Sequence, residues 1–281
     1  MIKRILNILP VFFFLPFLII SFPKTARAQE EPILNFERAY QDYIYTQNLY
    51  KQARGEFLLA QSQYTQAQTL ASRTKLIEKT IIFLEKRDDV VITYLTSLRT
   101  RLSEAKGLSR VDQENIFARL DSEVTWFQNH KTSIKTQGTL SDLENKSEDA
   151  KDQFTKTSQL AYETLATIPT GQTSLFRSSI SGILSEIKAK TEEIRLNGDH
   201  NTAIAERWIL ETESKITASL DKEIAAQNLI HIIQTGGEDR RKPNFESLYI
   251  SVVETLQESN QLLREANAFL REIIRELKTK Q

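Results

Sequence analysis

Aromatic side chains recur every seven residues between Phe36 and Ala71, and a small side chain follows each of them three residues later. In an α-helix, positions with this spacing lie along one face, so the pattern predicts a heptad seam of alternating large and small side chains. A single helix cannot bury such a seam, and the pattern therefore also predicts a partner helix. The aromatic positions are Phe36, Tyr43, Tyr50, Phe57 and Tyr64, and the small ones are Ala39, Thr46, Ala53, Ala60 and Ala67.

The C-terminal segment carries the longest seam of the chain. Its apolar positions alternate spacings of four and three residues without a break, which predicts a coiled-coil-like helix packed antiparallel on another long helix. The positions are Phe245, Tyr249, Val252, Leu256, Ser259, Leu263, Ala266, Leu270, Ile273 and Leu277.

Glycine and proline separate the periodic segments, and only Gly55 and Gly182 of the eight glycines fall inside one. No alternation of period two persists long enough to predict a strand. The predicted class is all-α, an elongated antiparallel helical bundle with coiled-coil-like segments and about seven helices. These helices are residues 33–71, 74–106, 110–136, 140–168, 173–196, 201–235 and 244–280.

Two helical regions are predicted after a short N-terminal segment. Residues 29–137 form an N-terminal region, and residues 138–281 form a C-terminal region that packs with it. Residues 33–106 are either a long hairpin or one long kinked helix, because the junction at residues 72–74 contains neither glycine nor proline. The similar lengths of the two segments slightly favour the hairpin.

Residues 1–28 have the three parts of a secretory signal peptide: a basic start, a short apolar core and an Ala-x-Ala end at residues 26–28. The apolar run, Ile8 to Phe22, is shorter than the roughly 20 residues that span a bilayer. We expect cleavage between Ala28 and Gln29, with an uncleaved membrane anchor as the alternative. The protein is then exported, to an extracellular, periplasmic or cell-surface location.

The charge balance and the lack of cysteine exclude several classes of function. The full chain has 37 basic and 37 acidic residues, and residues 1–28 contain four basic residues and no acid, which leaves a net charge of −4 after cleavage. A mildly acidic chain with interspersed charges argues against a nucleic-acid partner. The absence of cysteine rules out disulfides, thiolate chemistry and lipid attachment at an N-terminal cysteine.

The sequence contains no pattern typical of a catalytic, cofactor-binding or metal site. The three histidines, His130, His200 and His231, do not have the spacing of a helical zinc site. His231 follows Ile224 by one heptad and is interpreted as a partly buried core histidine. No phosphate-binding glycine loop and no nucleophile elbow occurs. We therefore do not expect an enzyme.

Asp88 is the one candidate for a functional polar residue. It occupies a seam position between Leu84 and Val91, where an apolar residue is expected. An acid in such a position is paired, with Arg87 or with a cation of a partner helix, or fixes the register of the helices. The alternative is a functional acid that faces a polar gap in the core.

The run from Tyr50 to Leu102, with Thr69-Leu70, Arg87-Asp88 and Tyr94-Leu95-Thr96-Ser97-Leu98-Arg99, resembles a group of secreted, all-helical, uncharacterised bacterial proteins. The resemblance covers about a fifth of the chain. It implies an exported helical protein and brings no activity with it.

Together these patterns predict a non-catalytic scaffold or protein–protein interaction protein of the bacterial envelope or exterior. Its expected partner is another protein or a second copy, joined through the helical seams, with membrane contact only through an uncleaved signal segment. One alternative is an extracytoplasmic ligand-binding or sensing bundle, with Asp88 in the site. Another is a membrane-active helical protein.

Overall fold

The computed structural model describes residues 35–197, 202–236 and 244–279, and within them the fold is all-α, as predicted. The predicted signal peptide, residues 1–28, and its predicted cleavage site lie outside these residues. No helix in the described ranges has both the length and the apolar character needed to cross a bilayer. The six helices are α1 (Phe36–Gln66), α2 (Leu70–Ser103), α3 (Arg110–Ile134), α4 (Leu140–Asn197), α5 (Ala203–Thr235) and α6 (Phe245–Thr279).

The prediction of separate helices at 140–168 and 173–196 is wrong, because α4 continues through Pro169. Proline removes one backbone donor from a helix, yet threonine hydroxyls on both sides of it donate to backbone carbonyls of the same turns. Thr167 donates to Glu163 O at 2.8 Å and Thr170 donates to Thr167 O at 2.6 Å. Gly171 serves packing rather than termination, since a Cβ there would collide with Leu108.

The described part of residues 33–106 is the hairpin rather than one kinked helix: α1 and α2 are joined by a turn at residues 67–69. Thr69 and Ser72 close this turn with a reciprocal capping box. The Thr69 hydroxyl accepts from Ser72 N at 3.2 Å, and the Ser72 hydroxyl accepts from Thr69 N at 3.1 Å. Such a pair satisfies two backbone donors at the start of α2 without glycine or proline.

The chain divides into two compact units. In described residues, the first comprises 35–103 and 117–157, and the second comprises 104–116, 158–197, 202–236 and 244–279. The predicted boundary between the regions 29–137 and 138–281 falls in the loop between α3 and α4. The two compact units instead divide inside these helices, so α3 and α4 each contribute residues to both units.

The aromatic seam of α1 is closed by α2 in the first unit. Tyr43 lies 5.3 Å from Tyr94, and Tyr50 lies 5.4 Å from Phe83, between ring centroids. Earlier residues of α1 thus meet later residues of α2, so the two helices are antiparallel. Burial, followed by the neighbouring Tyr40, raises the pKa of Tyr43 to about 12.

The seam of α6 is closed by α5 in the second unit, and the predicted apolar positions of α6 between Tyr249 and Ile273 are buried. The two helices are antiparallel, because Lys215 pairs with Glu265 at 2.7 Å and Lys222 pairs with Glu258 at 2.6 Å. Their shared core also receives side chains from α4. The core residues are Ile180, Leu184, Ile187, Ala205, Ile209, Leu263, Ala266, Leu270 and Ile273.

The apolar spacing of the predicted helix 201–235 predicts a buried seam, and this prediction is wrong over its second half. The predicted positions are Ala205, Ile209, Ile216, Leu220 and Ile224. Leu220 and Ile224, expected in the core, are 39% and 47% exposed. The positions that face the core there are polar, with Ser219 fully buried and Glu223 nearly so. Ser219 Oγ and Ser259 Oγ are 2.8 Å apart, so the small hydroxyls of α5 and α6 satisfy each other.

Two glycines of the second unit should respond oppositely to substitution. We expect Gly182→Ala to raise the free energy of unfolding by about 0.5–1 kcal/mol, because the helix favours alanine and a Cβ there meets nothing. Gly107→Ala should lower it by more than about 1 kcal/mol, because Gly107 has φ +81° and its Cβ would meet the backbone of Gly171. Urea unfolding followed by circular dichroism measures both, and equal stability of the two variants would contradict this reading.

Candidate functional site

The candidate site is built around Asp88, which lies in the middle of α2 and is fully buried. Burying a carboxylate without partners is very costly, so every buried acid needs hydrogen bonds or a cation. Asp88 has both. One carboxylate oxygen faces Arg87 of the same helix, and the other faces His130 of α3.

His130 is fixed through both ring nitrogens. Nδ1 lies 2.5 Å from Asp88 Oδ2, and Nε2 lies 2.9 Å from the carbonyl oxygen of Lys146 on α4. A carbonyl only accepts, so Nε2 carries a hydrogen and donates it. A second proton lies between Nδ1 and Oδ2, because without it two acceptors would face each other.

Arg87 completes the cluster and is itself buried. Its Nε and Nη2 each donate to Asp88 Oδ1 at 3.3 Å, and its Nη1 donates to Ser147 Oγ at 3.2 Å. The cluster therefore joins α2, α3 and α4 in one layer of the first unit. The sequence analysis left two partners open for Asp88: Arg87, or a cation of a partner helix. The structure shows both, since Asp88 contacts Arg87 and also His130 of α3.

The arrangement is suited to holding helices in register. A slip of α3 by one turn would separate His130 from Asp88 and from the Lys146 carbonyl. Buried polar groups would then lack partners, which is far more costly than shifting apolar side chains. Both nitrogens of His130 are occupied by protein groups, so neither is open to accept a proton from a bound molecule or to bind a metal ion.

Ion pairs along the outer edge of α2 and α3 follow the same register. Lys131 of α3 lies 2.5 Å from Asp89 of α2, and Arg99 of α2 lies 2.7 Å from Asp121 of α3. The second pair is exposed, so it contributes little to stability.

Trp126, which is half-buried, lies between the cluster and the surface. Its indole stacks on the His130 ring with 4.9 Å between centroids and 9° between planes. Trp126 and His130 line an open groove of about 520 Å³ between α3 and α4. The groove also carries an amide and a hydroxyl of α3, and carboxylate, ammonium and amide side chains of α4.

The histidines are placed differently from the sequence interpretation. His231 is exposed on α5, so its predicted burial is wrong, and His200 lies outside the described residues. His130, which the sequence did not single out, is the buried one. It sits between Phe127 and Ile134 at the spacing of the α3 seam, and this polar gap in the seam is the signal that could have found it. In the described part of the chain no three His, Asp or Glu side chains converge on a possible metal position.

The Asp88 cluster should dominate the stability of the first unit. We expect Asp88→Ala to lower the free energy of unfolding by about 3–5 kcal/mol, because it leaves the Arg87 guanidinium buried without its counter-charge and His130 Nδ1 without its partner. The matched control is Asp121→Ala, which breaks an exposed pair and should cost no more than about 1 kcal/mol. Trp126 and Trp208 are the two tryptophans, so Trp126 emission in a Trp208→Phe background reports on the first unit alone during urea unfolding. Equal effects of the two alanine variants would contradict the assignment.

No protein-family model, curated protein or solved structure matches this chain.

Proposed function

We propose that this protein is a non-catalytic interaction protein, exported to the bacterial envelope or exterior, and that α5 provides its docking face. The observation that carries the proposal is an apolar stripe on the outward side of α5. Leu210, Leu220 and Ile224 are 66%, 39% and 47% exposed.

The three side chains share one side of the helix. Leu220 and Ile224 are one turn apart, and Leu210 precedes Ile224 by two heptads, so all three project in similar directions. Single exposed apolar residues are ordinary, whereas neighbouring ones on one helix face favour a binding face. Leu220 and Ile224 are such neighbours, and Leu210 lies further along the same side, beyond Glu213 and Thr217. Fully burying a leucine contributes about 1.5–3 kcal/mol, so covering this stripe would contribute substantially to association.

The division of α5 into two faces supports this role. Its inward face uses Ser219 and Glu223, which are buried against polar partners: Ser219 pairs with Ser259, and Glu223 accepts from Arg177 at 2.8 Å. Larger apolar residues sit one position later in the sequence and face outward. Partner binding would explain why the helix places Leu220 and Ile224 outside rather than in the core.

The helical seams are a less suitable docking surface. The rings of α1 lie against α2, and the apolar positions of α6 lie against α5. A partner that used these seams would first have to separate helices of the same chain. The proposed partner surface is therefore the outward face of α5, not the seams favoured by the sequence patterns.

The non-catalytic part of the proposal draws support from the closed Asp88 cluster, whose polar groups are occupied by one another. The exported location draws support from residues 1–28, with their basic start, apolar core and Ala-x-Ala end.

Site-specific photocrosslinking in the protein's own cells tests the proposal. A photoreactive residue in place of Ile224 should give a discrete protein adduct in the extracytoplasmic fraction, with the chain beginning at Gln29. The matched control replaces Glu211, which is exposed on another side of the same helix, and should give none. The proposal fails if neither position gives an adduct, if both give the same one, or if the chain stays uncleaved in the cytoplasm.

A further inference from the structure

The groove between α3 and α4 of the first unit has the size and chemistry of a small-molecule site. Its volume, about 520 Å³, lies within the range of roughly 300–1,000 Å³ typical of ligand sites. A second groove, of about 610 Å³ between α4 and α5, is bridged by the Lys188–Glu213 ion pair and has no aromatic residue in its lining. The first groove is the one with a fixed aromatic surface.

That surface is the half-buried indole of Trp126. It stacks on His130, whose two nitrogens are held by Asp88 and by the Lys146 carbonyl. The imidazole cannot rotate without breaking both hydrogen bonds, so the ring on which the indole stacks is fixed. A ligand that stacks on Trp126 would therefore meet a preorganised surface, which lowers the entropy cost of binding.

Three polar side chains around the indole are available to a ligand. In the described ranges, Asn129 of α3 and Asp152 and Lys156 of α4 form no hydrogen bond or ion pair with another protein group. Asn129 can donate and accept, Asp152 can accept, and Lys156 can donate. This set matches the hydroxyl groups of a sugar, each of which both donates and accepts.

The charges of the groove favour a neutral ligand. Asp152 and Lys156 have opposite signs, and the other ionisable residues of the lining are paired: Lys146 with Asp149 at 3.4 Å, and His130 with Asp88. An anion or a cation would meet attraction and repulsion together. A pyranose ring has no charge, an apolar C–H face for the indole and hydroxyls at its edge.

We propose that this groove binds a short neutral oligosaccharide, with one pyranose ring on Trp126 and its hydroxyls on Asn129, Asp152 and Lys156. Asp88 would be a positioning residue, acting on the ligand only through His130 and Trp126.

Trp126 itself is the reporter for the test. In a Trp208→Phe background, cellobiose, maltose and N,N′-diacetylchitobiose are titrated while Trp126 emission is recorded. At least one should give a saturable change with a Kd of about 1 mM or tighter. Asp152→Ala and Asn129→Ala should each weaken that binding about tenfold through the loss of a hydrogen bond. Since neither side chain has a protein partner, neither change should disturb the fold.

Asp121→Ala, exposed on α3 and outside the groove, is the control and should bind like the parent. The proposal is overturned if none of the three disaccharides gives a saturable change, or if the Asp152→Ala and Asn129→Ala variants bind as tightly as the control.

Discussion

The burial of the Asp88 carboxylate is the constraint on which the first unit depends. A fully buried acid must be met by donors from fixed directions, and here those donors come from the same helix and from α3. The same two partners also bond to α4: His130 donates to the Lys146 carbonyl, and Arg87 donates to the Ser147 hydroxyl. Three helices are thereby held in one register by directional bonds, while the surrounding apolar contacts tolerate small shifts.

The second unit also has a polar layer between its helices, and this layer is smaller. Ser219 and Ser259 meet at 2.8 Å between α5 and α6, and Asn260 donates to Thr173 of α4 at 3.0 Å. Small hydroxyls allow close packing and bond only in one alignment. Both units therefore combine an apolar core, which stabilises the helices, with a polar layer, which fixes how the helices align.

The sequence predicted the elements whose pattern depends on local periodicity. The aromatic repeat of α1 and the 4-3 spacing of α6 gave the correct buried faces, because large apolar side chains fill consecutive core positions there. The capping box of α2 at Thr69 and Ser72 was equally readable in principle, since its residues are three apart.

Prediction failed where the core is polar or where packing overrides a local preference. On α5 the apolar pattern placed the predicted seam at Leu220 and Ile224. The buried positions are Ser219 and Glu223, each one residue earlier. α4 continues through Pro169 although proline usually ends a helix. Residues 106–108 pack closely against Gly171 in the same region, a long-range contact that has no sequence signature. The Asp88–His130 bond joins residues 42 positions apart, so only the folded chain brings them together.

In the proposed function, each chain closes its own seams and leaves the outward face of α5 for a partner. The chain has no cysteine, so an introduced pair reports this directly. Thr46 Oγ1 and Thr93 Oγ1 lie 2.7 Å apart between α1 and α2, a spacing compatible with a disulfide. We predict that the double variant Thr46→Cys, Thr93→Cys forms this bond within one chain and migrates as a cross-linked monomer on a non-reducing gel. Disulfide-linked dimers as the main product would show that the seam pairs between chains and would contradict the account.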